Sequence, residues 1–189
     1  MTDQDNIPTP AGWRHTNYAV MERERRWLCA GVPKVARAAA QIDDLTDIYF
    51  PDSQMRLRLC EPLTHGQRYF KLTKKIQLDD PRHHLLTTIY LSDTEYDTFR
   101  LIGGLVVKKR RHRFRLMGHA MAVDMFQGPL EDLVLAEVSF ESDGDMALYP
   151  TPEFAVREVT HDPQFGGMAL SRRAASGDGD VDGLTRLWA

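Results

Sequence analysis

A period of two runs through most of this chain, and one of its two alternating sets is charged where the other is apolar. Side chains two residues apart share a face of a β-strand. In Tyr18–Leu28, Glu22, Glu24 and Arg26 fall on one face, while Ala19, Met21 and Trp27 fall on the other together with Arg23 and Arg25. Arg56 and Arg58 oppose Leu57 and Leu59. Lys71, Thr73 and Lys75 oppose Phe70, Leu72 and Ile76. Lys108, Arg110 and His112 align in the next long segment, Asp124 lies in another, and Glu137 opposes Ala136, Val138 and Phe140.

Two arrangements satisfy this pattern. Each strand can bury its apolar face and wet its charged one, as half-solvated antiparallel sheets do. Alternatively the sheet closes with its apolar faces packed outward against helices and its charges inside. Arg26, Arg56, Arg58, Lys71, Lys75, Lys108 and Arg110 would then face Glu22, Glu24, Asp124 and Glu137. So many cations repel one another unless a polyanion lies among them. Periodicity alone leaves both arrangements open.

Strands are expected at Tyr18–Leu28, Asp47–Phe50, Met55–Leu59, Tyr69–Gln77, Leu85–Leu91, Leu105–Leu116, Ala120–Gln127 and Leu133–Glu141, each bounded by Pro, Gly, Asp or Ser. Helices are expected at Val35–Ile42, from the capping box Ser92–Glu95 to Gly103, at Asp145–Tyr149 and at Phe165–Arg173. The fold class is α+β: an antiparallel β-barrel of about eight strands forming a tunnel, with peripheral helices. At 189 residues the chain suits one domain. Residues 1–15 read as a lead-in, 16–173 as the barrel domain and 174–189 as a flexible or loosely docked tail, with a short docking helix at Val181–Trp188 as one option.

There is no apolar run long enough for a bilayer and no signal-peptide core at the N-terminus. Cys29 and Cys60 lack metal-binding spacing and read as small core residues, which favours a reducing cytoplasm. The net charge of −3 argues against general nucleic-acid binding, whereas the clustered cations point to a focused anion site.

Met21-Glu-Arg-Glu-Arg-Arg-Trp-Leu28 resembles the ExExK signature of the CYTH superfamily, the triphosphate tunnel metalloenzymes, with Arg26 in place of lysine. Arg56-Leu-Arg58 is similar to the family's RxR, Lys71–Lys75 to its lysine strand and Lys108-Lys-Arg110 to its KxR. Val123–Gly128 resembles DxFxG, Leu135–Phe140 resembles AExEF and Arg157–Asp162 resembles EVTxD. The likeness spans roughly residues 18–173 in a constant order. It implies a barrel with its charges directed inward.

The same resemblance implies hydrolysis of inorganic triphosphate or a small organic triphosphate. Class IV adenylate cyclase activity, or binding of polyphosphate or nucleotide without turnover, are the alternatives. It assigns Glu22, Glu24 and Arg26 to catalysis and Arg56, Arg58, Lys71, Lys75, Lys108 and Arg110 to phosphate binding. Glu22, Glu24, Asp124 and Glu137 would hold Mg²⁺ or Mn²⁺, hard oxygen donors for a hard cation. Two acids of the family pattern are absent: LLTTIYL has none, and Glu137-Val-Ser139 keeps one of two. The partner implied is a triphosphate-containing small molecule, with neither nucleic acid nor membrane; the oligomeric state, a homodimer included, is left open.

Among the remaining candidates, His83-His84 reads as a solvated turn, and His112 as tunnel-facing but more simply a satisfied histidine. His161 and Asp162 are expected to cap the last helix, and Glu158 to partner a cation.

Overall fold

The computed structural model describes residues 18–177, in which nine strands form one antiparallel sheet. They are β1 (Val20–Cys29), β2 (Gln41–Tyr49), β3 (Met55–Pro62), β4 (Tyr69–Gln77), β5 (His83–Leu91), β6 (Leu105–Leu116), β7 (His119–Phe126), β8 (Val134–Phe140) and β9 (Ala155–Glu158). The helices are α1 (Lys34–Arg37), α2 (Asp93–Arg100), α3 (Asp143–Leu148) and α4 (Gly167–Ser176). The strand order is β5-β4-β3-β2-β6-β7-β8-β1-β9, and β1 also pairs with β5. Eight strands therefore close on themselves, which leaves none of them as a bare edge.

Closure rests on β1. One of its edges carries β8 from Arg23 to Cys29, and the other carries β5 at Val20–Arg23 and β9 at Trp27–Cys29.

The expected helix over Val35–Ile42 shrinks to the single turn of α1, and the strand expected at Asp47–Phe50 begins instead at Gln41. The reason lies in the tertiary structure. The backbone of β2 pairs with β3 on one side and β6 on the other, and without it the barrel would gape.

Apolar faces point outward, as the closed arrangement requires. Trp27, Met121, Val123, Ala136, Val138 and Phe140 are covered by Ala36 of α1 and by Met146 and Tyr149 at α3. Leu57, Phe70 and Leu72 lie under α2, where the Phe70 and Tyr96 rings stack at 4.4 Å. The capping box that opens α2 forms as expected, with Ser92 accepting from the Glu95 N–H and Glu95 accepting from the Ser92 N–H.

A third cluster fills one end of the interior. Leu28, Val107, Phe126 and Leu135 meet Leu130 and Phe165, from short 3-10 turns, and Leu170 of α4. Asp162 caps the turn Pro163–Phe165, not the last helix, which starts after Gly166. Helix α4 continues past the expected boundary at Arg173 to Ser176. The lead-in at 1–15 and the proposed docking helix at Val181–Trp188 lie outside the described residues.

Candidate active site in the barrel interior

Alternation along β1 sends Glu22, Glu24 and Arg26 inward, opposite the outward Trp27 with Arg25 stacked on it at 4.9 Å. Arg56 and Arg58 of β3, Lys71 and Lys75 of β4, Asp124 of β7 and Glu137 of β8 join them. Ion pairs across the interior demonstrate the convergence. Lys75 Nζ lies 2.6 Å from Glu22 and 2.8 Å from Glu24. Arg26 reaches Glu24 at 2.7 Å and Glu137 at 3.3 Å, and also donates to the Phe165 carbonyl at 2.9 Å. Glu158 is the structural partner expected of it, bound by Arg25 at 2.7 Å on the outside of the barrel.

The assignment on β6 is off by one residue. Lys108 is exposed, Arg110 pairs with Asp44 at 2.8 Å on the outer face, and His112 bonds the Ala36 carbonyl beneath α1. The inward row is Lys109, Arg111 and Arg113. Lys109 and Arg111 each lie 2.6 Å from Asp124, and Arg113 pairs with Asp43. A run of consecutive basic residues puts charge on both faces, so alternation carries no information there. Only the acids on neighbouring strands select the row.

Those acids include two that lie in none of the sequence motifs. Asp43 and Asp47 of β2 are fully buried, and Asp47 takes a bidentate pair from Arg58 at 2.5 and 2.7 Å. Their spacing, Asp43-x-Leu45-x-Asp47, is a strand signal once β2 is granted. Aspartate's poor β-propensity hides it.

His84, expected in a solvated turn, is instead a β5 residue directly across from Glu22, 8% exposed and facing the interior. His83 turns outward to Asp143, with a contact of 2.6 Å.

The interior therefore divides into braced and available groups. Asp124 has both oxygens engaged by Arg111 and one approached by Lys109, which makes it their counterion rather than a metal ligand. Burial would raise its carboxyl, but Arg111 and Lys109 outweigh that and hold it far below the usual range. Asp47 is held down in the same way by Arg58 and Arg56 against its burial.

Lys71 has no carboxylate partner among the described residues. Burial, then Arg58, Arg56 and Arg113, push its ammonium down to about 8. A lysine so placed among guanidinium groups marks a site for an anion.

Two strands round the barrel from Lys71, burial raises the Glu22 carboxyl, opposed by Lys75 and reinforced by Glu24 and Glu137. Glu24 is held low by Arg26 and Lys75 despite its burial. Burial and the neighbouring Lys75 lower His84 to about 4, so its ring is neutral at pH 7. A cavity of about 360 Å³ opens beside Glu22, between Val20, Leu86, Thr88 and Ser139.

One observation bears on metal binding. Glu22, Glu24 and His84 each offer a ligand atom, all within 4.8 Å of one another. Glu24 Oε2 and His84 Nδ1 are buried without a hydrogen-bond partner. Donors of this chemistry, left unsatisfied, fit a divalent cation.

A closed antiparallel barrel with an inward cation lining and a carboxylate cluster is the architecture of the CYTH-type tunnel fold, and this chain has that fold. Solved structures agree. The chain resembles the crystal structure of an inorganic triphosphatase, with a TM-score of 0.56 and 25% identity over 80% of this chain and 95% of that one. A conserved hypothetical protein from Pyrococcus furiosus shares the fold at a TM-score of 0.50 and 18% identity, covering 67% of this chain and 82% of its own. In sequence, an inorganic triphosphatase of Acetivibrio thermocellus is 37% identical over 60 residues, which are 32% of this chain and 37% of that enzyme. No family model matches the chain.

Proposed function

We propose that this chain is a metal-dependent hydrolase of inorganic triphosphate or a small organic triphosphate, acting inside the barrel. The observation that carries this reading is the neighbourhood of Lys71: buried cations with more positive charge than their carboxylates neutralise, facing a cluster of acids with unsatisfied oxygen. The likeness to a solved inorganic triphosphatase over nearly that chain's whole length supports it.

Lys71, Arg56, Arg111 and Arg113 bind phosphate oxygens, the arginines through their forked donors. Asp47, Asp124 and Asp43 brace Arg58, Arg111 and Arg113, so the lining is ordered before substrate arrives and little reorganisation is needed. Arg26, tied to Glu24, Glu137 and the Phe165 carbonyl, fixes the two acids relative to the apolar plug. Glu22 and Glu24, with Glu137 nearby, would hold Mg²⁺ or Mn²⁺. When bound, such an ion neutralises phosphate charge and helps orient a water for in-line attack. No covalent nucleophile is required of the chain.

The domain takes in α4 as far as Ser176 at its C-terminal end. Buried, unpaired Cys29 and Cys60 fit a reducing cytoplasm. No helix among the described residues is long and apolar enough to cross a membrane.

The test is phosphate release from inorganic triphosphate, and from ATP, by the purified chain with Mg²⁺ or Mn²⁺. Metal-dependent release supports the reading. Cyclic AMP formed from ATP, or tight triphosphate binding without turnover under either metal, overturns it.

A further inference from the structure

We infer that His84 is a third donor, beside Glu22 and Glu24, to a divalent-metal site that takes a first-row ion such as Mn²⁺, Co²⁺ or Zn²⁺ more tightly than Mg²⁺. This deepens the reading above at the same site and rests on the metal dependence proposed there.

The placement comes from strand register. β5 runs antiparallel to β1, and Glu22 and His84 are direct cross-strand partners on the inward face. Directly opposed residues bring their Cβ atoms within roughly 5 Å of each other. Glu24 lies two positions along β1 on the same face, so the three side chains meet at one corner of the interior.

Their donors are enclosed, with Glu24 2% and His84 8% exposed. Lys75 and Arg26 are aimed at Glu24 Oε1, and Lys75 at Glu22 Oε2, which leaves Glu24 Oε2 unpartnered. His84 Nδ1 sits 3.7 Å from Glu24 Oε1, too far for a hydrogen bond, and has no other partner. Burying an imidazole nitrogen and a carboxylate oxygen unsatisfied is costly. Three ligand atoms within 4.8 Å of one another would be satisfied together by one ion.

The chemistry of the donor set then selects the ion. Carboxylates alone suit Mg²⁺, Ca²⁺ and Mn²⁺, whereas an imidazole nitrogen suits transition metals and adds little for Mg²⁺, which prefers an all-oxygen octahedron. One nitrogen among the oxygens therefore shifts preference along the divalent series, away from magnesium.

The test is Mn²⁺ binding to the full chain without substrate, read by calorimetry and by pulsed electron paramagnetic resonance for nitrogen coupling to the bound ion. Wild type should show a histidine-type nitrogen coupling that changes on ¹⁵N-histidine labelling. In His84→Gln the coupling should vanish, with Mn²⁺ affinity falling about tenfold or more and Mg²⁺ affinity moving less than about threefold. His84→Glu should bind metal without nitrogen coupling and narrow the gap between the two ions. Labelling reads the site in the unaltered chain even if neither variant folds. Bound Mn²⁺ with no nitrogen coupling, or a coupling that survives in His84→Gln, overturns the inference and leaves the hydrolase reading intact. Absence of any Mn²⁺ binding overturns the inference and removes the metal from the hydrolase reading, which the separate phosphate-release assay then decides.

Discussion

Arg111 holds Asp124 inside the barrel through two nitrogens, each 2.6 Å from a carboxylate oxygen. The next residue back, Arg110, makes an equally well-formed pair with Asp44 on the outer face. Two chemically similar pairs, one residue apart, thus sit in different dielectric environments.

Their removal should separate them. Asp124→Ala removes the nearest counterion of the buried Arg111 and Lys109 and leaves Arg111 only the longer contact to Glu137 at 3.9 Å, which costs about 3–5 kcal/mol. Arg110→Ala breaks a pair whose side chains are 37% and 31% exposed, and solvent screening limits the loss to about 1 kcal/mol or less. Urea unfolding midpoints of the two variants check this; equal losses would contradict the inward assignment of Arg111.

Phosphate affinity should follow the inward row of β6. Charged hydrogen bonds contribute about 1.5–3 kcal/mol, so Arg111→Ala or Lys71→Ala should weaken triphosphate binding by about tenfold to a hundredfold. Lys108→Ala, at an exposed position, should change it less than about twofold. Titration of each variant with inorganic triphosphate by calorimetry separates the rows, and a large loss in Lys108→Ala would reverse them.

The Lys71 ammonium gives the site a pH dependence. Burial and the surrounding arginines lower it to about 8 from an ordinary value of 10.5. A base lowered by folding binds fewer protons than the unfolded chain between those values, so its own contribution to stability rises with pH across that window. Anion binding has the opposite sign, since the phosphate favours the charged form. Triphosphate affinity should be full below about pH 8 and decline above it. Lys71→Arg keeps its charge and should flatten the decline attributable to this position. Matching pH profiles for the two proteins would rule out Lys71 as the titrating group.

Helix α4, which packs on the lining strands through Leu170, also meets Tyr49 at its first turn. A Cβ on Gly167 would lie 2.6 Å from Cζ of Tyr49, an inward residue of β2 whose hydroxyl lies close enough to Arg56 to favour its charged form. Gly167→Ala forces the ring or the helix to move, at about 1–3 kcal/mol. Both thermal stability and triphosphate affinity should fall, the second because Arg56 loses its support. Tyr49→Phe should lower affinity with little loss of stability, and an unaffected affinity in both variants would show that Arg56 is placed without Tyr49.

Much of the barrel was legible because period two is a local property of the backbone. The bounds of β4 and β6 follow from it directly, and the capping box at Ser92 announces α2. On β1, β3 and β4 the sequence by itself determined which residues share the face of Glu22, Arg56 and Lys71, because apolar residues hold most of the opposite face, Arg23, Arg25 and Lys74 excepted. It could not determine which face is inside, since alternation is symmetric between a wet exterior and a wet interior; the order of its motifs, through resemblance, supplied that.

Only the tertiary structure decided the rest. In β6, basic residues occupy both faces, and the inward row is chosen by Asp43, Asp124 and Glu137 on strands distant in sequence. In β2, aspartates that disfavour an isolated strand are held there by paired backbone on both sides and by buried guanidinium partners. His84 reached the carboxylates because closure pairs β5 with β1. Each of these choices depends on charges meeting across the sheet in low dielectric, an energy that exists only once the barrel has closed.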